Sequence, residues 1–176
     1  MQSDAALLEA LLAGDVRAFD ALYLRHARHL FGFVRGHLRD AAEAEDVLHD
    51  TFMALLRDRS AARSAMNLRA WLFQVARNLC LNRQRTARRS DHAVARLAQT
   101  PADTAEPAEQ ALERRQKHEA LNDAVRRMPE ALASLFRLRA GGLSYEEMAR
   151  VLAVPLGTVK SRMHQLVTQL REELSR

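Results

Sequence analysis

The chain has 176 residues, 48% hydrophobic and 28% charged, with a formal net charge of +5, enough for one large or two small domains with buried cores and incompatible with a disordered chain. Aromatics are 5%, glycine 6 residues and proline 4, while Ala, Leu, Arg and Glu dominate, so the predicted fold class is all-α. One cysteine, Cys80, excludes an internal disulfide or a cysteine-based zinc site and fits a reducing cytoplasm, and no apolar run approaches the ~18 residues of a membrane span.

In chain order, the N-terminal MQSDAALLEALLAGD is too acidic and too broken for a signal peptide. Ser3 or Asp4 can cap a first helix with Leu7, Leu8, Leu11 and Leu12 on one face, stopped by Gly14. Asp15 caps a long second helix whose apolar side runs Phe19, Leu22, Tyr23, Leu30, Phe33 and Val34. Asp40, with Glu43 three residues on, has capping-box spacing and opens a third helix, turning Ala44, Val47, Leu48, Thr51, Phe52 and Leu55 inward. The polar stretch RDRSAARSAMN is predicted as a loop. Asn67 then caps a fourth helix with Trp71, Leu72, Val75, Ala76 and Leu79 as its buried stripe. Its other face carries Gln74, Arg77, Asn78 and Arg85, with Leu81 the exception, followed by Arg83, Arg88 and Arg89. No carboxylate lies between Asn67 and Ser90. Arginine abundance alone could reflect codon bias, since only Lys117 and Lys160 are lysines. A face of one sign is more informative, because solvated helices usually mix charges.

From Ser90 to about Glu109 the sequence contains QTPADTAEPAEQ, which reads as an acidic, poorly structured linker. The predicted organisation is a first helical domain over 1–90, a linker over 91–109 and a second helical domain over 110–176. In the second, a helix from Glu109 to Met128 stops at Pro129. The next turns Leu132, Leu135 and Phe136 inward and ends at Gly141-Gly142. Ser144 and Glu147 form an S-x-x-E capping box for a short helix with Tyr145, Met148, Ala149 and Leu152 at helical spacing. Pro155 starts the last helix, whose inner face is Val159, Met163, Leu166 and Leu170. Thr158, Ser161, Arg162 and Gln165 then point outward, flanked by Lys160 and His164.

Two helices joined by a tight turn, the second bearing hydroxyls, amides and cations on its outer face, have the layout of a helix-turn-helix DNA reader. Such groups hydrogen-bond base edges in the major groove, and the helix N-terminus favours phosphate. The spacing is shared by αα-hairpins of helical bundles, so the pair alone does not decide between them. No Gly-rich phosphate loop or nucleophile triad appears, and His26, His29 and His37 lack metal-ligand spacing. Neither catalysis, nor a metal, nor a cofactor is therefore expected.

Four stretches in order, AGDVRAFDALYLRHARHLF, AEAEDVLHDTFMALL, NLRAWLFQVARNLCLNRQR and MPEALASLFRLRAGGLSYEEMARVLAVPLGTVKSRM, together resemble the extracytoplasmic-function group of sigma-70 family RNA polymerase sigma factors. The resemblance covers nearly the whole chain. It implies a sigma-2-like and a sigma-4-like helical domain that hold two promoter contacts apart on core RNA polymerase, a cytoplasmic protein that is monomeric when free, and an anti-sigma factor as a further partner. By resemblance, Asp46, His49, Asp50 and Met53 contact core polymerase, where acidic side chains one turn apart suit a basic partner helix. Asn67, Arg77, Asn78, Asn82, Arg83 and Arg85 correspond to the element that opens the minus-ten region, with Trp71 assigned to the core. Lys160, Ser161, His164 and Gln165 correspond to readers of minus-thirty-five base edges, and Thr158 and Arg162 to phosphate or orientation contacts.

The sequence departs from the family pattern at a few places. Ala153 stands where such turns often carry Gly, predicting a turn that is slightly strained or differently shaped. His164 and Gln165 replace the aromatic or Arg of many relatives, His49 replaces Gln, and Asn82 replaces Asp. The acidic linker is expected to run near the polymerase active centre. Other readings of the same residues are a free-standing helix-turn-helix regulator, which would bind duplex DNA alone as a symmetric dimer, and a protein-binding helical adaptor, which leaves the basic fourth helix unexplained.

Overall fold

Side-chain caps set most of the helix starts in this computed structural model, which describes residues 2–38, 40–58, 67–90 and 119–175, without the side chains of 88–90 and 174. The Ser3 hydroxyl accepts from Ala6 N at 3.2 Å and opens α1 (Asp4–Leu12). After Gly14, whose φ of 97° makes the turn, Asp15 accepts from Arg17 N at 2.9 Å and opens α2 (Val16–His37). Asp40 accepts from Glu43 N at 2.9 Å ahead of α3 (Ala41–Arg57). The Asn67 side-chain oxygen Oδ1 accepts from Ala70 N at 3.0 Å ahead of α4 (Leu68–Ser90). Each such cap contributes about 1 kcal/mol. Most of the predicted loop before Asn67, the linker over 91–109, the first part of the helix predicted from Glu109, and the Arg88 and Arg89 side chains lie outside the described residues.

Helices α1 to α4 form the first bundle. Leu7, Leu8 and Leu11 bury α1 on α2, and Asp4 fixes its angle by pairing with Arg25 and with His26 Nε2 at 2.8 Å. Leu22, Leu30 and Val34 of α2 meet Val47 and Leu55 of α3 and Leu72 and Ala76 of α4, all fully buried. Every inward position predicted for α3 is buried, including Thr51, whose hydroxyl donates to the Val47 carbonyl at 2.7 Å. Tyr23 departs from expectation: it is 39% exposed, lying at the rim with its ring 4.7 Å from that of Phe52.

The second set comprises helical residues 119–127, α5 (Glu130–Ala140), α6 (Tyr145–Leu152) and α7 (Leu156–Leu174). Leu132, Leu135, Leu138, Met148, Val151, Val159, Met163 and Leu166 are among its buried apolar residues. Ser144 and Glu147 form the full capping box at the start of α6. Ala153 ends that helix in the left-handed region, φ 53° and ψ 45°, so the turn carries the strain expected of a residue with a Cβ there.

Every described element is a helix. The two sets do not stand apart, because α4 packs on α6 and α2 on α5, and the buried residues of both belong to one continuous cluster. This contact reshapes α4. Its predicted stripe is only half right: Leu72 and Ala76 are buried, whereas Trp71, Val75 and Leu79 are half-buried. Phe73, Leu68, Ala70 and Cys80 are buried as well. A helix covered from two directions buries more than one stripe.

Candidate nucleic-acid interface

The helix-turn-helix pair is built around Ala153 and Pro155. The left-handed residue reverses the chain after α6, and the ring of Pro155 fixes φ at −59° for entry into α7. With Val159, Met163 and Leu166 held inside, the pitch of α7 puts Lys160, Ser161, His164 and Gln165 in solvent on one side, with Thr158 and Arg162 half-buried at its edges. The Ser161 hydroxyl donates to the Thr158 carbonyl at 3.1 Å and keeps its lone pairs outward. Glu146 sits beside this face. Its carboxyl is held below the ordinary value, first by its own backbone N–H, then by the Ser144 hydroxyl, with Lys160 and Arg150 nearby. Arg127 and Glu173, 2.9 Å apart, tie the 119–127 helix to α7.

The residues assigned on α4 divide into two groups. Asn78, Asn82 and Arg85 are exposed and, with exposed Gln74, follow helical spacing along one side. Asn67, Arg77 and Arg83 are engaged elsewhere. Besides capping α4, Asn67 donates from Nδ2 to Glu147 Oε1 at 2.8 Å. Arg77 is half-buried, and its Nε is buried without a hydrogen-bond partner among the described residues. Arg83 lies 3.1 Å from Asp50 and 3.5 Å from Asp46.

The last pair joins two surfaces that the sequence kept separate. On α3, Asp46 and His49 are exposed and Asp50 and Met53 half-buried, so the four form a continuous acidic and apolar patch. Arg83 caps one end of it from α4. The partners are separated by 33 and 37 positions, a distance at which no local spacing rule signals a contact.

Two further groups had no role in the sequence reading. Arg69 donates to the Gly141 carbonyl at 2.7 Å. His37 is buried between α2, α4 and α5, its Nδ1 3.0 Å from the Phe33 carbonyl. Burial pushes its imidazole down to about 4, helped by the guanidinium of Arg137 and, less, Arg77, and opposed by the Phe33 bond and Glu130. A cleft of about 760 Å³ opens beside it, lined by Arg28, Arg35, Arg126 and Arg137 over Phe33 and Phe136. Among the described residues, no helix is long and apolar enough to cross a membrane.

Comparison with known proteins finds two matched regions. Residues 22–90 match the family Sigma-70 region 2 and residues 118–170 the family Sigma-70, region 4. The chain is 35% identical over 162 residues to the ECF RNA polymerase sigma factor SigM of Mycobacterium tuberculosis, covering 92% of this chain and 79% of SigM. It is 32% identical over 180 residues to the RNA polymerase sigma-H factor of Pseudomonas aeruginosa, covering 92% and 89%. Among solved structures it is similar to the sigma factor RpoE of Bartonella quintana, crystallised with the anti-sigma factor NepR, with TM-score 0.68 and 26% identity over 91% of this chain and 98% of that one. CnrH, solved with the cytosolic domain of CnrY, shares the fold with TM-score 0.74 and 22% identity over 99% and 98%.

Proposed function

Because this chain belongs to the sigma-70 family, in its extracytoplasmic-function group, we propose that it binds core RNA polymerase and directs it to a particular set of promoters. The observation that carries the reading is the order of the two matched regions together with the solvent-facing row Lys160, Ser161, His164 and Gln165 on α7. That row supplies donors and acceptors for minus-thirty-five base edges in the major groove. Thr158 and Arg162 at its borders are placed for phosphates.

Asp46, His49, Asp50 and Met53 on α3 are the surface for core polymerase. Side chains of Asp46 and Asp50 are 70% and 43% exposed, so a basic helix can reach them at modest desolvation cost in place of Arg83. On α4, Asn78, Asn82 and Arg85 are assigned to the minus-ten strand, holding phosphates while bases leave the stack, a step that costs a few kcal/mol of unstacking. Asn67, Arg77 and Arg83 join them once their present contacts are given up. The chain itself performs no covalent step. Phosphodiester chemistry belongs to the polymerase, and this subunit lends it sequence specificity in the cytoplasm. RpoE was crystallised with an anti-sigma factor, and a counterpart that holds this chain inactive is part of the proposal.

A run-off assay with purified core polymerase and genomic promoter fragments tests the function. Transcripts that require both core and this chain are expected. Folded protein that gives no core-dependent transcript, or that binds duplex DNA equally well alone as a dimer, would overturn the reading in favour of a free-standing regulator.

A further inference from the structure

The cleft of about 760 Å³ beside His37 has no part in the surfaces assigned to polymerase and promoter. Three helices wall it: α2, the 119–127 helix and α5. Arg28 and Arg35 come from α2 and Arg126 and Arg137 from the other two, while buried Phe33 and half-buried Phe136 supply the apolar part of the lining. Among the described residues, no carboxylate lines it.

Gathering like charges in one concavity is unfavourable by itself, and the protein relieves it only in part. Arg137 has Glu130 at 3.0 Å and Arg126 has Asp123 at 3.1 Å, both acids standing outside the lining. Arg28 and His29 are exposed and make neither ion pair nor hydrogen bond among the described residues. The positive field also reaches His37, whose imidazole is lowered first by burial and next by Arg137.

Two glycines of α2 line the same cleft, and they differ. A Cβ on Gly36 would lie 3.2 Å from the Arg137 side chain, so close packing accounts for that glycine. A Cβ on Gly32 would meet nothing within 4 Å. Glycine inside a helix costs roughly 0.5–1 kcal/mol relative to alanine, and here neighbouring atoms give no reason for it. What Gly32 keeps is open space on the cleft wall.

Size and charge together narrow the occupant. The volume falls in the range of about 300–1,000 Å³ typical of small-molecule sites. A peptide helix ~10 Å across with a pitch of ~5.4 Å takes up roughly 420 Å³ per turn, so the cleft would hold fewer than two turns of one. Guanidinium groups pair with phosphate oxygens through two parallel hydrogen bonds, and their number favours more than one phosphate.

We propose that this cleft binds a nucleoside polyphosphate, with Arg28, Arg35, Arg126 and Arg137 holding the phosphates and the space beside Gly32 and Phe136 receiving the nucleoside. The site uses none of the residues assigned to core polymerase or to DNA, and it stands or falls independently of the promoter reading. Because its cations come from both helical sets, a bound polyphosphate ties α2 to α5 and stabilises the folded chain by mass action.

Isothermal titration of the full chain at 0.15 M salt, without magnesium so that the phosphates keep their charge, tests the site. The probes are ATP, GTP, inorganic triphosphate, adenosine and hexaglutamate. ATP or GTP should bind with a Kd on the order of 10–100 µM, inorganic triphosphate about tenfold more weakly for want of the nucleoside contact, and adenosine and hexaglutamate without measurable heat. Arg28→Ala removes an unpaired cation, and Gly32→Leu fills the open space with a better helix former. Each should weaken nucleotide binding about tenfold or more, with far-UV circular dichroism unchanged. Arg57→Ala, an exposed cation on α3 outside the cleft, should leave it within about twofold.

Folded wild-type chain that binds neither nucleotide would overturn the proposal. So would nucleotide binding that Arg28→Ala and Gly32→Leu leave intact, since the ligand would then sit elsewhere. Inorganic triphosphate as tight as ATP would overturn the nucleoside assignment, and hexaglutamate as tight as ATP would point to an acidic peptide instead.

Discussion

His37 and Ala153 each carry a cost that a single substitution can expose. The His37 ring is held neutral, at about 4, against an ordinary value of 6.5. The unfolded chain therefore takes up a proton in that interval that the folded chain refuses. The stability contributed by the neutral ring is complete above pH 6.5 and declines as pH falls toward 4, by up to about 1.4 kcal/mol per pH unit. Arg137 and Glu130 of α5 and Arg77 of α4 are the charges that face it. Burial lowers His26 too, against the pull of Asp4, and adds in the same direction. Urea denaturation at pH 7 and pH 5 should show a smaller loss for His37→Gln than for wild type; equal losses would exclude His37 as the source. Ala153→Gly should stabilise the chain by about 0.5–1 kcal/mol, because glycine occupies φ 53° without the Cβ clash, and a lower urea midpoint would contradict the strain. The sequence announced the Ala153 position through its place in the turn. It gave no sign of His37, whose environment is assembled by three helices.

Amphipathic period made α2, α3 and α7 readable, because each of these helices is covered chiefly on one side. For α3 every predicted inward residue is buried, and on α7 Val159, Met163 and Leu166 follow suit. The fourth helix was read less well, since Phe73 packs beside Gly141 of the second set, outside any local window. The same limit hid Arg83, which looked like one more cation on a basic face and in fact closes on the acids of α3. For that patch, Asp50→Ala should weaken core polymerase association about fivefold at low salt, with the difference shrinking as ionic strength shortens the screening length. Titrations at two salt concentrations check this, and a salt-independent loss would point to a packing defect.

At the scale of the whole molecule, the two matched regions were legible from composition, since helix signals stop at the proline-bearing acidic stretch and resume beyond it. Their contact was not, because it depends on the absence of side chains at Gly36, Gly141 and Gly142, and a glycine in sequence does not say what approaches it. A shared core makes one transition of unfolding the expected behaviour. Trp71, the only tryptophan, lies on α4 and reports the surroundings of that helix, whereas far-UV circular dichroism reports the helices of both sets. The two urea curves should coincide within error in the wild-type chain and separate in Gly141→Ala. Separate curves in the wild type would mean that the sets fold independently.

Cys80 bears on how such measurements can be made. Its side chain is fully buried on α4, and burial pushes the thiol up to about 12, so at neutral pH it offers neither access nor thiolate to a maleimide. The natural chain is thus its own unreactive background. A cysteine introduced at an exposed site on each set, such as Leu24 and Val167, would take dye selectively and turn the distance between the sets into a fluorescence signal without any residue of the core being replaced.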